Sequence, residues 1–395
     1  MCEETGKELQ GYICTVKCAF SKIREACNCD SSMIVYYHDD ADGVCSAAIL
    51  RARLCPSVCD PTQAFFFPID YDKRTYDLLA QIRELDKTYR IKTIVFVDLT
   101  PPRNFFEYIP DEYVVVVIDH HQTAIRMMSD WPTNQRIVFL SRVNAPDMDE
   151  YLRYTQRPHI VHKSQISACE LTWMICNYIF DEQKAFPPLV YLLGRADVYD
   201  FCSDRILGFK TAVHLRMFDE KLGSITLEET VRQKDILPQL LQFSYFIKLG
   251  LTDNTDTKEE IARFVEDLLT EGITANKVLE TYAKGIMEEC SYTTKFRDVV
   301  IRVLNCPGLY FNMMQTANDC NVLITWYERP DHQYEVEFRT IDDGLKTDAW
   351  CICKDLVALH PSTVVGSRGY KEACGVIVRD IDEFLCPLNP DWDDD

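Results

Sequence analysis

The sequence predicts an α/β protein: an N-terminal domain built on a parallel sheet, a helical connector, and a smaller C-terminal α/β domain. Three observations carry this. In the first two hundred residues, short apolar runs alternate with helix-like segments, and several runs end directly in histidine or aspartate. The pattern turns helical from about 225 to 290, and β signals return beyond about 295. A chain of 395 residues also exceeds one ordinary core, so more than one domain is expected.

The elements follow in order. A helix near residues 7–28 leads into a first strand at 33–37, Met33-Ile34-Val35-Tyr36-Tyr37. Gly43 to Arg53 reads as a helix packed through Ala47, Ala48, Ile49 and Leu50. A short strand at 64–68 and a helix at 75–85 come next, then strands at 93–97, 113–118 and 137–140. Runs this apolar read as parallel strands buried on both faces. Helices are expected over 164–181 and 186–197, and strands alternating with helices indicate a parallel sheet. The later strands are 299–304, 321–326 and 334–339, followed by a helix near 344–359 and a glycine-containing turn at 366–375. The expected boundaries are 1–225, 226–292 for the connector, 293–388, and an acidic tail at 389–395.

Composition narrows the partners. A formal charge of −20 argues against capture of long duplex DNA, which a basic surface normally drives. Short oligonucleotides remain open, because metal ions invert the sign of a site. No run approaches the roughly 20 apolar residues that span a bilayer, and no membrane partner is expected. The first residues lack the apolar core of a signal peptide, and the 18 cysteines are spread along the chain. A cytoplasmic location with reduced thiols follows. A zinc site at Cys14, Cys18, Cys27 and Cys29 would need two close pairs presented together, and the reading of Cys14 and Cys18 as one turn apart on an amphipathic helix is preferred. Homodimer formation is left open.

The chemistry lies where the strands end. His38-Asp39-Asp40-Ala41-Asp42-Gly43, Asp98, Asp119-His120-His121 and Asp197 each stand just past an apolar run. In open α/β sheets, ligands bind at the carboxyl ends of the strands, so these groups are expected to converge. Convergent acids need cations. Two divalent ions roughly 3.5–4 Å apart can activate a water and relieve charge on a phosphoryl group. Carboxylate oxygens suit Mg²⁺ or Mn²⁺, and imidazole shifts the choice toward Mn²⁺.

Together these residues resemble the DHH phosphoesterase superfamily of RecJ-like or nanoRNase-like enzymes. His38-Asp39-Asp40-Ala41-Asp42-Gly43 is similar to its first motif, Val97-Asp98 to the second, Ile118-Asp119-His120-His121 to the third, and Asp197 with Asp200 to the fourth. The resemblance implies two Mn²⁺ ions, with Mg²⁺ as a substitute. His38 and Asp40 would hold one ion, Asp42, His120 and Asp197 the other, and Asp98 would bridge them. His121 would face the scissile phosphate, with Asp119 orienting a histidine. The implied catalytic residues are therefore His121, Asp98 and Asp119, while Asp39 and Asp200 stand outside the ligand set.

The C-terminal residues are similar to a divergent DHH-associated domain. Arg339, then Arg368, Gly369, Tyr370 and Lys371, stand where that domain binds substrate. Tyr370 replaces the histidine of the family turn, and either base stacking or core packing fits it. The implied function is a manganese-dependent phosphodiesterase of exonuclease or oligoribonuclease type, acting on short single strands or dinucleotides. A nucleotide phosphatase, a polyphosphatase and an inactive scaffold are the alternatives.

Overall fold

A computed structural model of the chain describes residues 32–54, 64–69, 75–121, 124, 127, 130–131, 136–141, 166–180, 184, 186–198, 204–213, 255–306, 317, 319–341, 349–369 and 373–388. The expected helix at 7–28, the four N-terminal cysteines and the tail at 389–395 lie outside these residues. The chain divides into two compact units, Met1–Ile273 and Thr274–Asp395.

The first unit is built on five parallel strands in the order β2-β1-β3-β4-β5: β1 (Ser32–His38), β2 (Ala64–Ile69), β3 (Ile91–Val97), β4 (Val114–Ile118) and β5 (Ile137–Leu140). Both faces are covered, which explains the unbroken apolar runs. Met33, Val35 and Tyr37 enter one core together with α1 (Ala41–Leu54), α4 (Ala168–Ile179), α5 (Pro188–Asp197) and α6 (Asp204–Val213). Ile34 and Tyr36 enter the other with α2 (Thr75–Tyr89) and α3 (Arg103–Tyr108). The chain leaves β1 toward β2 on one side and returns to β3 on the other, so the connections switch direction between β1 and β3. That is where such sheets open a ligand crevice. Tyr37, Val97, Ile118 and Leu140 pair in sequence across β1, β3, β4 and β5. The residues that follow them therefore emerge along one edge.

The second unit holds a six-stranded mixed sheet, β10-β11-β9-β8-β7-β6, in which only β7 and β8 are parallel. These strands are β6 (Ser291–Phe296), β7 (Val299–Asn305), β8 (Val322–Glu328), β9 (Tyr334–Thr340), β10 (Val364–Gly369) and β11 (Ala373–Val378). One face packs on α8 (Ala349–Leu359) and α9 (Ile381–Leu385); on the other, Leu304 and Leu323 meet Ala283 and Met287. Those last two residues belong to α7 (Thr255–Glu289), the described part of the helical segment.

Two sequence expectations change here. The glycine-containing turn at 366–375 is instead two paired strands, Val364–Gly369 and Ala373–Val378. Pairing and burial of Cys374, Val376 and Val378 override the local turn preference of Gly366, Gly369 and Gly375. Ser291–Phe296 is an additional strand, concealed in the sequence because it lies at the sheet edge with much of its surface exposed. Among the described residues, no helix is long and apolar enough to cross a membrane.

Candidate metal centre

The strand ends bring the predicted residues together. His38 closes β1, and its Nδ1 lies 2.9 Å from Asp40 Oδ2 and 3.6 Å from Asp98 Oδ2. Asp40 Oδ1 accepts from Gly43 N at 2.9 Å, which fixes the turn into α1. Gly43 has no substitute here, since a Cβ would lie 2.2 Å from the His38 carbonyl oxygen. Asp42, in the first turn of α1, is 2% exposed.

Asp98 follows β3 in the left-handed region, φ 61°, and its amide donates to Ile118 O at 2.8 Å. A non-glycine residue held there costs about 1–3 kcal/mol and persists only where its surroundings enforce it. Its carboxylate is central: Oδ1 lies 3.2 Å from His120 Nε2 and 3.9 Å from His121 Nδ1. His120 Nε2 is also 3.5 Å from Asp197 Oδ2 and 3.9 Å from Asp42 Oδ2. Asp119 Oδ1 meets His121 Nδ1 at 2.7 Å, while Thr100 Oγ1 donates to its Oδ2 at 2.6 Å.

These contacts make three overlapping groups whose ligand atoms lie within 4.8 Å of one another: His38, Asp40 and Asp98; Asp98, His120 and His121; Asp42, His120 and Asp197. The donor set is carboxylate oxygen and imidazole nitrogen, a combination suited to Mn²⁺ or Mg²⁺. Asp98 Oδ1 is buried and receives no hydrogen bond of good geometry, as expected of an oxygen reserved for a cation. The residues present therefore fit a divalent metal.

Residues 32–192 match the model of the DHH family, N-terminal domain. That segment is similar to a DHH-family N-terminal domain. Among solved structures, the DHH domain of a member of the s1p family of ribosomal proteins is 16% identical, with a TM-score of 0.51, 96% of this chain and 90% of that one being covered. RecJ from Thermus thermophilus, in complex with Mn²⁺, is 15% identical with a TM-score of 0.48, over 94% of this chain and 53% of that one. This chain thus spans about half the length of that RecJ. CDC45 from Entamoeba histolytica is 8% identical with a TM-score of 0.46, over 95% of this chain and 98% of that one. No curated protein sequence matches the chain. At 16% identity, the first likeness shows the fold alone.

The electrostatics of this site are those of crowded acids held by protonated histidines. Burial by itself lowers the His38 pKa, but Asp40 and Asp98 raise it from 6.5 to about 12. Burial likewise opposes charge on His120, while Asp98 and Asp197 raise it to about 9. His121 is raised as well: burial and the neighbouring His120 oppose its charge, and Asp119 outweighs them. Burial, then repulsion from Asp197, Asp98 and Asp40, pushes Asp42 well above the usual carboxylate range. Asp197 rises to about 6, through burial and repulsion from Asp98 and Asp40, against the lowering pull of His120. Asp40 and Asp119 move the other way: burial opposes their charge, and His38 and His121 outweigh it.

Asp39 is exposed, and Asp200 lies outside the described residues. Arg339 lies on β9 with Nη2 3.3 Å from Glu337 Oε2. Arg368 and Gly369 belong to β10, paired with Gly375 and Cys374, and Tyr370 and Lys371 lie outside the described residues. Sequence reasoning missed Thr100, Glu170 and Arg195. The last two form a buried ion pair, 1% and 0% exposed, with Arg195 two residues before Asp197 in α5. The spacing Ser167-x-x-Glu170 is a helix-capping signature that could have drawn attention to Glu170.

Proposed function

We propose that the chain is a phosphodiesterase that uses two divalent cations, preferentially Mn²⁺, to hydrolyse short single-stranded oligonucleotides or dinucleotides and release mononucleotides. The observation that carries this reading is the convergence of Asp98, His120, His121 and the neighbouring acids in a DHH-family domain. Bound cations would supply the charge that activates water and relieves the phosphoryl oxygens. His38 and Asp40 would hold one; Asp42, His120 and Asp197 would hold the other; Asp98 would serve both.

The chain's own residues then divide the work. Asp119 Oδ1 holds His121 Nδ1 at 2.7 Å and also accepts from the His121 amide at 2.9 Å, which fixes the ring. With Nδ1 committed, Nε2 is the nitrogen assigned to the phosphate, where it donates a proton to the leaving oxygen. Thr100 keeps Asp119 oriented and ionised through its 2.6 Å hydrogen bond. The formal charge of −20 favours a short substrate over long duplex DNA. Arg339, Arg368, Gly369, Tyr370 and Lys371 are proposed to contact it. An inactive scaffold would be expected to have lost ligands, whereas His38, Asp40, Asp42, Asp98, His120, His121 and Asp197 are all retained.

The test is purified full chain with Mn²⁺ and labelled di- and trinucleotides, alongside cyclic dinucleotides, nucleotide monophosphates and polyphosphate. Turnover should require Mn²⁺, favour the linear oligonucleotides, and fall by about 100-fold or more in Asp98→Ala. No phosphoester turnover by the wild type, or an Asp98→Ala variant as active as wild type, sinks the reading.

A further inference from the structure

The buried Glu170–Arg195 ion pair plays no part in the chemistry above, yet it links the two helices that hold Asp42 and carry Asp197, two of the acids within 4 Å of His120 Nε2. Asp42 is gripped from behind by the start of α4: Ala168 N donates to its Oδ2 at 2.6 Å and Cys169 N to its Oδ1 at 2.9 Å. Helix N-terminal amides lack partners within the helix and favour an anion. The same helix start is capped reciprocally. Glu170 N donates to Ser167 Oγ, and Ser167 N donates to Glu170 Oε2, each at 3.3 Å.

Glu170 also reaches into the next helix. Its Oε1 accepts from Arg195 Nε at 2.9 Å, and its Oε2 accepts from Arg195 Nη2. Arg195 stands two residues before Asp197, at the end of α5. Gly194 permits this approach, because a Cβ there would lie 2.5 Å from Glu170 Cγ and 2.8 Å from Ser167 Oγ. A continuous path thus runs from Asp42 through the α4 amides, Glu170 and Arg195 to Asp197. The pair is neutral as a whole, so its effect on the centre is one of position rather than of net charge. A two-point guanidinium–carboxylate contact is also stiff in direction as well as distance.

We propose that Glu170 and Arg195 are positioning residues: by fixing Asp42 and Asp197 relative to each other, they set the affinity of the cation site formed with His120. His38 and Asp40 belong to the end of β1 and the turn after it, on neither of the helices that carry Glu170 and Arg195. This inference rests on the two-cation reading above.

Calorimetric titration of the full chain with Mn²⁺ alone tests it, using wild type, Glu170→Gln and Arg195→Lys. Glutamine keeps the size of Glu170, and lysine keeps the charge of Arg195 without its fork. Wild type should give two binding steps, one of them lost in Asp197→Ala. In Glu170→Gln and Arg195→Lys that same step should weaken by about 10–100-fold, with the other unchanged. Thermal unfolding of the chelated proteins reports any loss of folding separately. If either variant folds poorly, Ser167→Ala, which removes the cap acceptor for Glu170 N and the contact with Cys169 Sγ while keeping the ion pair, should weaken the same step by a smaller factor. Equal weakening of both steps, no change in either, or a wild type that binds one ion overturns the inference. A wild type that binds two ions but cleaves no phosphoester would instead reject the proposed activity, and the titrations would still decide the positioning role.

Discussion

At Asp98 the backbone turns left-handed directly after Val97, and this aims a 1% exposed carboxylate at three histidines. Asp119 is equally buried, but its oxygens are satisfied by Thr100, His121 N and His121 Nδ1. The contrast separates an oxygen available to a cation from one committed to orienting a ring. Thr100→Val tests the second role. It removes one donor to a buried charge and should cost about 1–3 kcal/mol of stability, with kcat falling and KM little changed. A variant with wild-type kcat would remove Thr100 from the account. At this scale the first three groups were legible because each follows an apolar strand, whereas Asp197 closes a helix after Gly194-Arg195-Ala196 and was singled out through the family resemblance. Thr100 was not, since a threonine before Pro101-Pro102 carries no signal of the carboxylate 19 positions onward that it meets.

Between elements, glycines decide how closely helices approach. In α7, a Cβ on Gly272 would fall 1.6 Å from the Gly208 carbonyl oxygen of α6, whereas one on Gly285 would meet nothing within 4 Å. The same Gly→Ala change should therefore act in opposite directions within one helix. Gly272→Ala is expected to destabilise the first unit by about 1–3 kcal/mol or more, through forced separation of backbone from backbone. Gly285→Ala should stabilise by about 0.5–1 kcal/mol, from helix propensity alone. Denaturant midpoints of the two variants check this, and equal effects would contradict the packing. The alternating strands and helices of the first unit were readable from periodicity. The edge strand Ser291–Phe296 and the paired strands Val364–Gly369 and Ala373–Val378 were not, because partners from distant sequence stabilise them.

Across the molecule, metal and pH are coupled through the protonated histidines. His38 and His120 have pKa values raised from 6.5 to about 12 and about 9. Their stabilisation of the metal-free chain is complete below pH 6.5 and is lost as pH rises through 9 and toward 12. Asp197, raised from 3.8 to about 6, removes further stability as it ionises across that interval. A cation requires the deprotonated ligands, so its binding strengthens as pH rises. The gap in Tm between Mn²⁺-loaded and chelated protein should therefore widen from pH 6.5 to 9. At 100-fold excess of Mn²⁺ over its Kd, one site contributes about 2.7 kcal/mol. A gap that is constant or narrows with pH would remove these histidines from the ligand set.

The sequence by itself determined the α/β class, the strand ends and the acidic and histidine groups that follow them, because apolar periodicity and the placement of charge after a buried strand are local properties. Only the tertiary structure decided how those residues are held: Asp42 by the amides of α4, Asp197 through Arg195, Asp119 by Thr100. Ala168 lies 126 positions from Asp42 and Arg195 lies 25 from Glu170. Hydrogen bonds and buried ion pairs act over a few ångströms, so which distant residues share them is settled only when the sheet and its helices bring those residues into contact.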